Sequence, residues 1–368
     1  MSFRFIHTSD LHLGTKFANI PEPPDGNIRG RLREARHGAI ARITAAARDH
    51  GATDILVAGD TFDTPTPSLT VVRQALAAMG EDADVRWWLL SGNHDNLREA
   101  EPLWELITRE APENVNCLTA ARPISLSPKA TLLPSPVEWR SSGADPTGSL
   151  VTMASDEGTL RIGLAHGAVT DFIDTGANIP PDRDRSARLD YLALGDWHGR
   201  MQIGPRVHYS GSPEQDRFKH GRRGVCLAVT IDGPTSIPEV KEVQIGAFLW
   251  HDVALPLTPR QDAATALSEL LPAEGRRNRL VRVEATGWAG LPDQLDLRRA
   301  ADRLGPEFAH FELRTDNLKT QYEVADLDEI DRGGALRLAA DTLQAEADRE
   351  VAADALARLY AFVKEDAQ

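Results

Sequence analysis

The chain has 368 residues, more than one hydrophobic core usually supports, so one large domain with a smaller companion is expected. Its formal charge of −14 excludes a surface broadly coated for nucleic-acid binding, which needs clustered Lys and Arg, but leaves room for a local basic patch. No apolar stretch approaches the ~20 residues of a membrane helix and no signal-peptide pattern precedes the first apolar run, which fits a cytoplasmic location with no membrane partner.

Taken in order, five apolar runs each read as a buried strand, and each is followed at once by a polar cluster. Phe3-Arg4-Phe5-Ile6 leads to Asp10-Leu11-His12, Ile55-Leu56-Val57-Ala58 to Gly59-Asp60-Thr61-Phe62-Asp63, and Trp87-Trp88-Leu89-Leu90 to Gly92-Asn93-His94-Asp95. Ile162-Gly163-Leu164 leads to Ala165-His166-Gly167, and Tyr191-Leu192-Ala193-Leu194 to Gly195-Asp196-Trp197-His198. Between the first three strands lie two helical patterns, one on Leu32, Ala35, Ala39, Ile43 and Ala46, the other on Leu69, Val72, Leu76 and Met79 with a start at Thr66-Pro67. From about Val115 to Ile245 shorter strands between Pro/Gly/Ser turns, such as Ala130–Leu133 and Gly224–Val229, point to a second sheet packed on the first. Cys117 and Cys226 stand alone, without the spacing of a zinc knuckle or redox motif, and read as reduced thiols.

A boundary is expected between Gly246 and Pro259, dividing a domain over 1–245 from a module over 246–325. In that module helices at 259–271 and 292–304 alternate with strands at 280–283 and 310–313, the pattern of a compact α+β domain. The segment 326–368 carries Leu336, Ala340, Leu343, Ala347, Val351, Ala355 and Leu359 at spacings of three or four, which reads as one or two amphipathic helices. With eleven Asp and Glu against five Lys and Arg, that tail suits docking onto a protein better than onto DNA.

The clusters supply carboxylate, imidazole and amide donors on loops at the carboxyl ends of strands, the donor types that bind divalent ions. Asp10 and His12 are two apart, so in an extended loop both point to one side. Asp60 follows a glycine that permits close backbone approach, and is the natural bridge between two ions. A pair of ions ~3.5–4 Å apart suits phosphodiester hydrolysis, because it lowers the pKa of a water and neutralises charge on the phosphoryl oxygens.

In order and spacing these clusters resemble the calcineurin-like metallophosphoesterase superfamily, whose pattern is D-x-H, G-D-x-x-D, G-N-H-D/E, a later His and G-H-x-H. Within it, Phe5–Gly14, Ala58–Asp63 and Tyr209-Ser210-Gly211-Ser212-Pro213 are similar to the bacterial SbcD-type DNA repair nucleases. The resemblance covers about residues 3–230. It implies an α/β fold: a two-sheet α/β/β/α metallophosphoesterase sandwich, here with a small α+β capping domain and a C-terminal helical tail. It also implies that one metal takes Asp10, His12, Asp60 and His198, and the other Asp60, Asn93, His166 and the residue at 196. His94 would be the catalytic histidine, with Asp95 beside it as a supporting carboxylate, while Asp63 would act from behind the ligands. Where the family has G-H-x-H this chain has Asp196, a harder donor than imidazole, which favours Mn²⁺ or Mg²⁺; Fe²⁺ and Zn²⁺ are the alternatives. His7 and His37 are read as structural.

Arg217, Lys219, Arg222 and Arg223 form the densest positive run of the catalytic region, and are read either as a phosphate-tracking rim or as a solvated turn. The expected function is Mn²⁺-dependent hydrolysis of DNA in repair, as exonuclease, endonuclease or both. The implied partners are DNA, a coiled-coil ATPase of SbcC type, and a second copy of the chain. The alternatives are a phosphodiesterase or phosphatase acting on small phosphoesters, and an inactive scaffold docked on the ATPase.

Overall fold

The computed structural model describes the chain except residues 1, 24–25, 141–142, 170–177, 322–327, 329, 332–333, 347–348 and 367–368. It divides into two compact units, Met1–Asp216 with Arg222–Leu249, and Arg217–Gly221 with Trp250–Gln368. No helix among the described residues is long and apolar enough to cross a membrane.

The first unit holds two six-stranded sheets. One is built around β1 (Phe3–Thr8), β2 (Asp54–Val57), β3 (Arg86–Leu90) and β4 (Val115–Leu118), which run parallel in that spatial order. The helices α1 (Ile28–His50), α2 (Leu69–Gly80) and α3 (Glu101–Glu110) connect them. The other contains β6 (Ala130–Ser135), β7 (Leu160–His166), β8 (Tyr191–Gly195) and β10 (Val207–Tyr209), also parallel, with β5 (Ile124–Ser127) and β9 (Met201–Gln202) at its edges. The period-two alternation of each strand divides its side chains between two cores. Ile6, Ile55, Val57, Trp87 and Leu89 face the three helices. Phe5, Leu56, Trp88 and Leu90 instead meet Leu132, Ile162, Leu164 and Tyr191 of the second sheet. The far face of that sheet is covered by Leu150, Val169, Ile179 and Ala187, on loops and turns around the one-turn α4 (Arg183–Ser186) rather than on long helices.

Several expectations shift. β4 joins the first sheet, as do β11 (Val225–Ile231) and β12 (Glu239–Gln244), because β11 pairs antiparallel with β1. Helix α2 starts at Leu69 rather than at Thr66-Pro67, since the Ser68 hydroxyl accepts the Val71 amide at 3.3 Å and acts as the cap.

In the second unit a three-stranded sheet, β13 (Leu249–Leu257), β14 (Arg279–Gly290) and β15 (His310–Gln321), carries α5 (Ala263–Leu270) and α6 (Leu291–Leu304). β13 occupies most of the stretch in which the boundary was expected, a strand the sequence reading did not include. Its Trp250, Leu255 and Leu257 are buried while Asp252 and Pro256 are not, and the polar interruptions mask the strand in the sequence. The tail forms two helices, Ala335–Gln344 and Arg349–Asp366. Leu356, Ala357, Tyr360 and Ala361 bury against Leu291 and Leu295 of α6. The first helix stops at Gln344, so the helical phase restarts, and the buried positions become 352, 356 and 360 rather than 351, 355 and 359. Leu338, Val351 and Phe362 remain exposed. Ala347 lies outside the described residues.

Candidate metal centre

All five clusters meet in the first unit. Those after β1, β2 and β3 come from adjacent strands of one sheet, and His166 and Asp196–His198 come from the adjacent β7 and β8 of the other. Asp10 and His12 do not converge by extension. Both have positive φ, 54° and 44°, and the loop is zipped onto the next one by Asp10 N to Gly59 O (3.1 Å), His12 N to Asp60 O (3.0 Å) and Leu13 N to Thr61 O (2.9 Å). Asp60 and Asp196 share this left-handed habit, with φ of 55° and 103°, so four donors sit on backbone that L-residues rarely adopt. Gly195 is required because a Cβ there would lie 2.0 Å from the Ala58 carbonyl.

The donors form two overlapping groups. His12 Nε2 lies 3.2 Å from His198 Nε2, 3.8 Å from Asp10 Oδ1 and 3.6 Å from Asp60 Oδ2. His166 Nε2 lies 3.6 Å from the same Asp60 Oδ2 and 3.7 Å from Asp196 Oδ1, to which Asn93 Nδ2 donates at 3.0 Å. Asp60 Oδ2 therefore stands between the two groups. Each imidazole has its Nδ1 turned to an oxygen: His198 to Asp216 Oδ2 at 2.7 Å, His166 to the Ala58 carbonyl at 2.8 Å, and His12 to Asp63 Oδ1 at 3.4 Å. An Nδ1–H held in this way on His198 and His166 leaves their Nε2 lone pairs facing inward, the tautomer a metal requires, while the His12 contact is an ion-pair distance without hydrogen-bond geometry.

Electrostatics point the same way. Burial holds the Asp60 carboxyl above the usual carboxylate range. Burial opposes a proton on His166, yet the carboxylates of Asp60, Asp10 and Asp196 outweigh it and push the imidazole up to about 9. Both groups are short of positive charge. Among the described residues the buried Nε2 of His166 and Oδ1 of Asn93 have no hydrogen-bond partner, as befits atoms reserved for a cation.

These spacings, and carboxylate, imidazole and amide donors drawn from five strand-end loops, describe a phosphoesterase centre, and the calcineurin-like phosphoesterase model matches residues 3–198. The chain belongs to the calcineurin-like phosphoesterase family. Metallophosphoesterases of this family are hydrolases that use divalent metal ions. An uncharacterized metallophosphoesterase of Bacillus subtilis (strain 168), YhaO, is 27% identical over 284 residues, which make up 73% of this chain and 66% of YhaO. The chain therefore spans just under two thirds of that relative. The crystal structure of TT1561 of Thermus thermophilus is similar with a TM-score of 0.42 at 10% identity, over 67% of this chain and 100% of that one.

Other expected site residues fall outside the phosphoesterase donor set. Asp95 is not a group that faces substrate: it is fully buried, and its two oxygens accept the amides of Gly92 (2.7 Å) and Phe62 (3.1 Å). Burial, and then the charge of Asp60, raise its carboxyl to about 6. It clips the loop of Asn93 and His94 to the loop of Asp60. His7 is structural, bonded to Tyr191 Oη (3.0 Å) and the Leu194 carbonyl (3.1 Å), and burial lowers its imidazole to about 3. The basic run is divided between the two units. Phe218 is buried at 5.1 Å from the Trp250 ring within the second unit, and Arg217 and Lys219 are exposed on either side of it. Arg223 donates to the carbonyls of Gly246 and Ala247, and Arg222 pairs with Glu242 at 3.3 Å.

Sequence reading missed Arg36 and Asp216, and singled out Ser210 and Ser212 only as part of the Tyr209–Pro213 segment, with no role at the site. Ser210 Oγ lies 2.9 Å from Ser9 Oγ, which donates to the Asp10 carboxylate, and Ser212 Oγ bonds the Asp10 carbonyl at 2.8 Å. The available signal was the polar run Ser210–Asp216, unusually dense for a segment that is almost wholly buried.

Asp196 stands where a carboxylate would complete the group of Asn93 and His166. Asp196→His should move the ratio of Mn²⁺- to Zn²⁺-supported activity toward zinc, because imidazole is the softer donor. An unchanged ratio would remove Asp196 from the ligand set.

Proposed function

We propose that this phosphoesterase is a two-metal DNA nuclease, with Asp10, His12, Asp60 and His198 holding one ion and Asp60, Asn93, His166 and Asp196 the other. Mn²⁺ is the proposed metal, given four oxygen donors beside three imidazoles. Bound ions would lower the pKa of the attacking water and neutralise charge on the phosphoryl oxygens. His94 is proposed as the acid toward the leaving oxygen. Its Nδ1 donates to the Asp63 carbonyl at 2.8 Å and its amide to Asp60 Oδ1 at 2.9 Å, which holds the ring at the donor set.

For a substrate bearing bases rather than a small phosphoester, Trp139 carries the reading. It is 53% exposed on the segment after β6, with Arg98 Cζ 5.8 Å from its ring centre. The Val137 carbonyl accepts from Ser91 Oγ (3.0 Å) and Leu97 N (3.0 Å), so this segment is stitched to both ends of the Gly92–Asp95 loop. An exposed indole beside a guanidinium suits a stacked nucleobase. The SbcD-type resemblance of Tyr209–Pro213, whose serines brace Asp10, supports the same reading. That resemblance extends to a coiled-coil ATPase, and we propose Leu338, Val351 and Phe362 as the apolar side chains it would cover.

With Mn²⁺, wild type should cut single-stranded oligonucleotides and bis-p-nitrophenyl phosphate. Trp139→Ala should lose about tenfold in kcat/KM on DNA, the scale of one lost base stack, and nothing on the small diester. Hydrolysis of the small diester without cleavage of DNA would reject the nuclease reading in favour of a small phosphoester substrate.

A further inference from the structure

One half of the donor set is braced by two residues outside every motif of the family pattern. Arg36, on α1, is 2% exposed. Burying a guanidinium is costly unless its donors are taken, and here both terminal nitrogens are engaged. Nη1 donates at 2.7 Å to the carbonyl of Leu11, the residue between Asp10 and His12. Nη2 donates at 3.2 Å to the Glu214 carbonyl and lies 3.6 Å from Asp216 Oδ2. The same Asp216 oxygen takes the Nδ1–H of His198 at 2.7 Å. Phe17 lies against the guanidinium, its ring centre 5.6 Å from Cζ. The fork thus grips the Asp10–His12 loop directly, and His198 through one carboxylate. His166 and Asn93 are held by other partners, the Ala58 carbonyl and Asp196.

We infer that Asp216 and Arg36 are positioning residues for the ion held by Asp10, His12 and His198, and not for its neighbour. Asp216 fixes the tautomer and orientation of His198, and Arg36 fixes Asp216 in register with the Asp10–His12 loop. A guanidinium is suited to this because its planar fork reaches separate acceptors from one rigid group, which an ammonium cannot do. The inference rests on the two-ion assignment above, and is independent of whether DNA is the substrate.

Calorimetric titration of the metal-free, full-length protein with Mn²⁺ tests it. Wild type should show two binding events. Asp216→Ala should weaken one of them about 10–100-fold, the usual cost of losing a partner behind a metal-bound histidine, and leave the other unchanged. Asp216→Asn, which keeps an acceptor, should lose less, and Arg36→Lys should weaken the same event. The melting temperature of the metal-free protein should stay at the wild-type value, which separates positioning from support of the fold. Equal weakening of both events, or of neither, would overturn the inference. If Asp216→Ala does not fold, Asp216→Asn decides on the same criterion. A single event in wild type would instead remove the two-ion reading, and this inference with it.

Discussion

Asp60→Ala should abolish hydrolysis and metal binding together, whereas His94→Ala should abolish most hydrolysis and spare the metals. Asp60 Oδ2 is 3.6 Å from both His12 Nε2 and His166 Nε2, so its loss strips a donor from each group and leaves Asp10 and Asp196 without their shared counterpart. His94 reaches the site differently. Its Nδ1 is committed to the Asp63 carbonyl, so the acid role proposed for it falls to its other nitrogen. General-acid assistance is worth about 10²–10⁴-fold, so kcat of His94→Ala should fall by that range. Metal content per chain, measured beside turnover, separates the two variants. Loss of metal from His94→Ala equal to that from Asp60→Ala would make His94 a ligand, which its place beside His12 and Asp60 allows sterically.

Gly59→Ala is expected to be nearly as damaging although it removes no functional atom. Gly59 has φ +88°, and a Cβ there would lie 2.3 Å from His166 Nδ1 and 2.9 Å from Gly92 Cα. The strain falls on the His166 ring and on the backbone that presents Asn93. Backbone strain and overpacking each cost about 1–3 kcal/mol, which for a domain of this size lowers the melting temperature by roughly 4–10 °C. Displacing His166 should also cost metal affinity. Gly233→Ala, with nothing within 4 Å of its Cβ, is the control and should behave as wild type. A Gly59→Ala protein with wild-type melting and metal content would show that the loops are not packed as described.

The strands and the candidate donors after them were legible because this fold writes them locally. A parallel strand buried on both faces is a continuous apolar run, and its candidate donor follows within a few residues, as Leu90 precedes Asn93 and Leu194 precedes Asp196. The reason for convergence was less legible. Asp10 and His12 meet through positive φ at both residues, which no residue type announces. Arg36 and Asp216 escaped because they act through carbonyls and through another side chain, across a long sequence separation, and so leave no spacing to recognise. Asp95 was legible only as a supporting carboxylate, and what it supports was not, because a carboxylate in a catalytic motif looks the same whichever backbone amides it clips. The Arg217–Arg223 run could be read only as a rim or a turn, because sequence cannot show that Phe218 buries itself in the second unit while Arg223 turns to the Gly246 and Ala247 carbonyls. The acidic tail was legible as helices but not in phase, since the break after Gln344 resets the buried stripe.

The central claim is that Asp60 joins two ions. Anomalous diffraction from a crystal soaked in Mn²⁺ tests it most directly. Two peaks roughly 3.5–4 Å apart are expected, one on each side of Asp60, with Asp196 oxygen about 2 Å from the ion shared by Asn93 and His166. A single peak, or two peaks with Asp60 bound to only one of them, would contradict it.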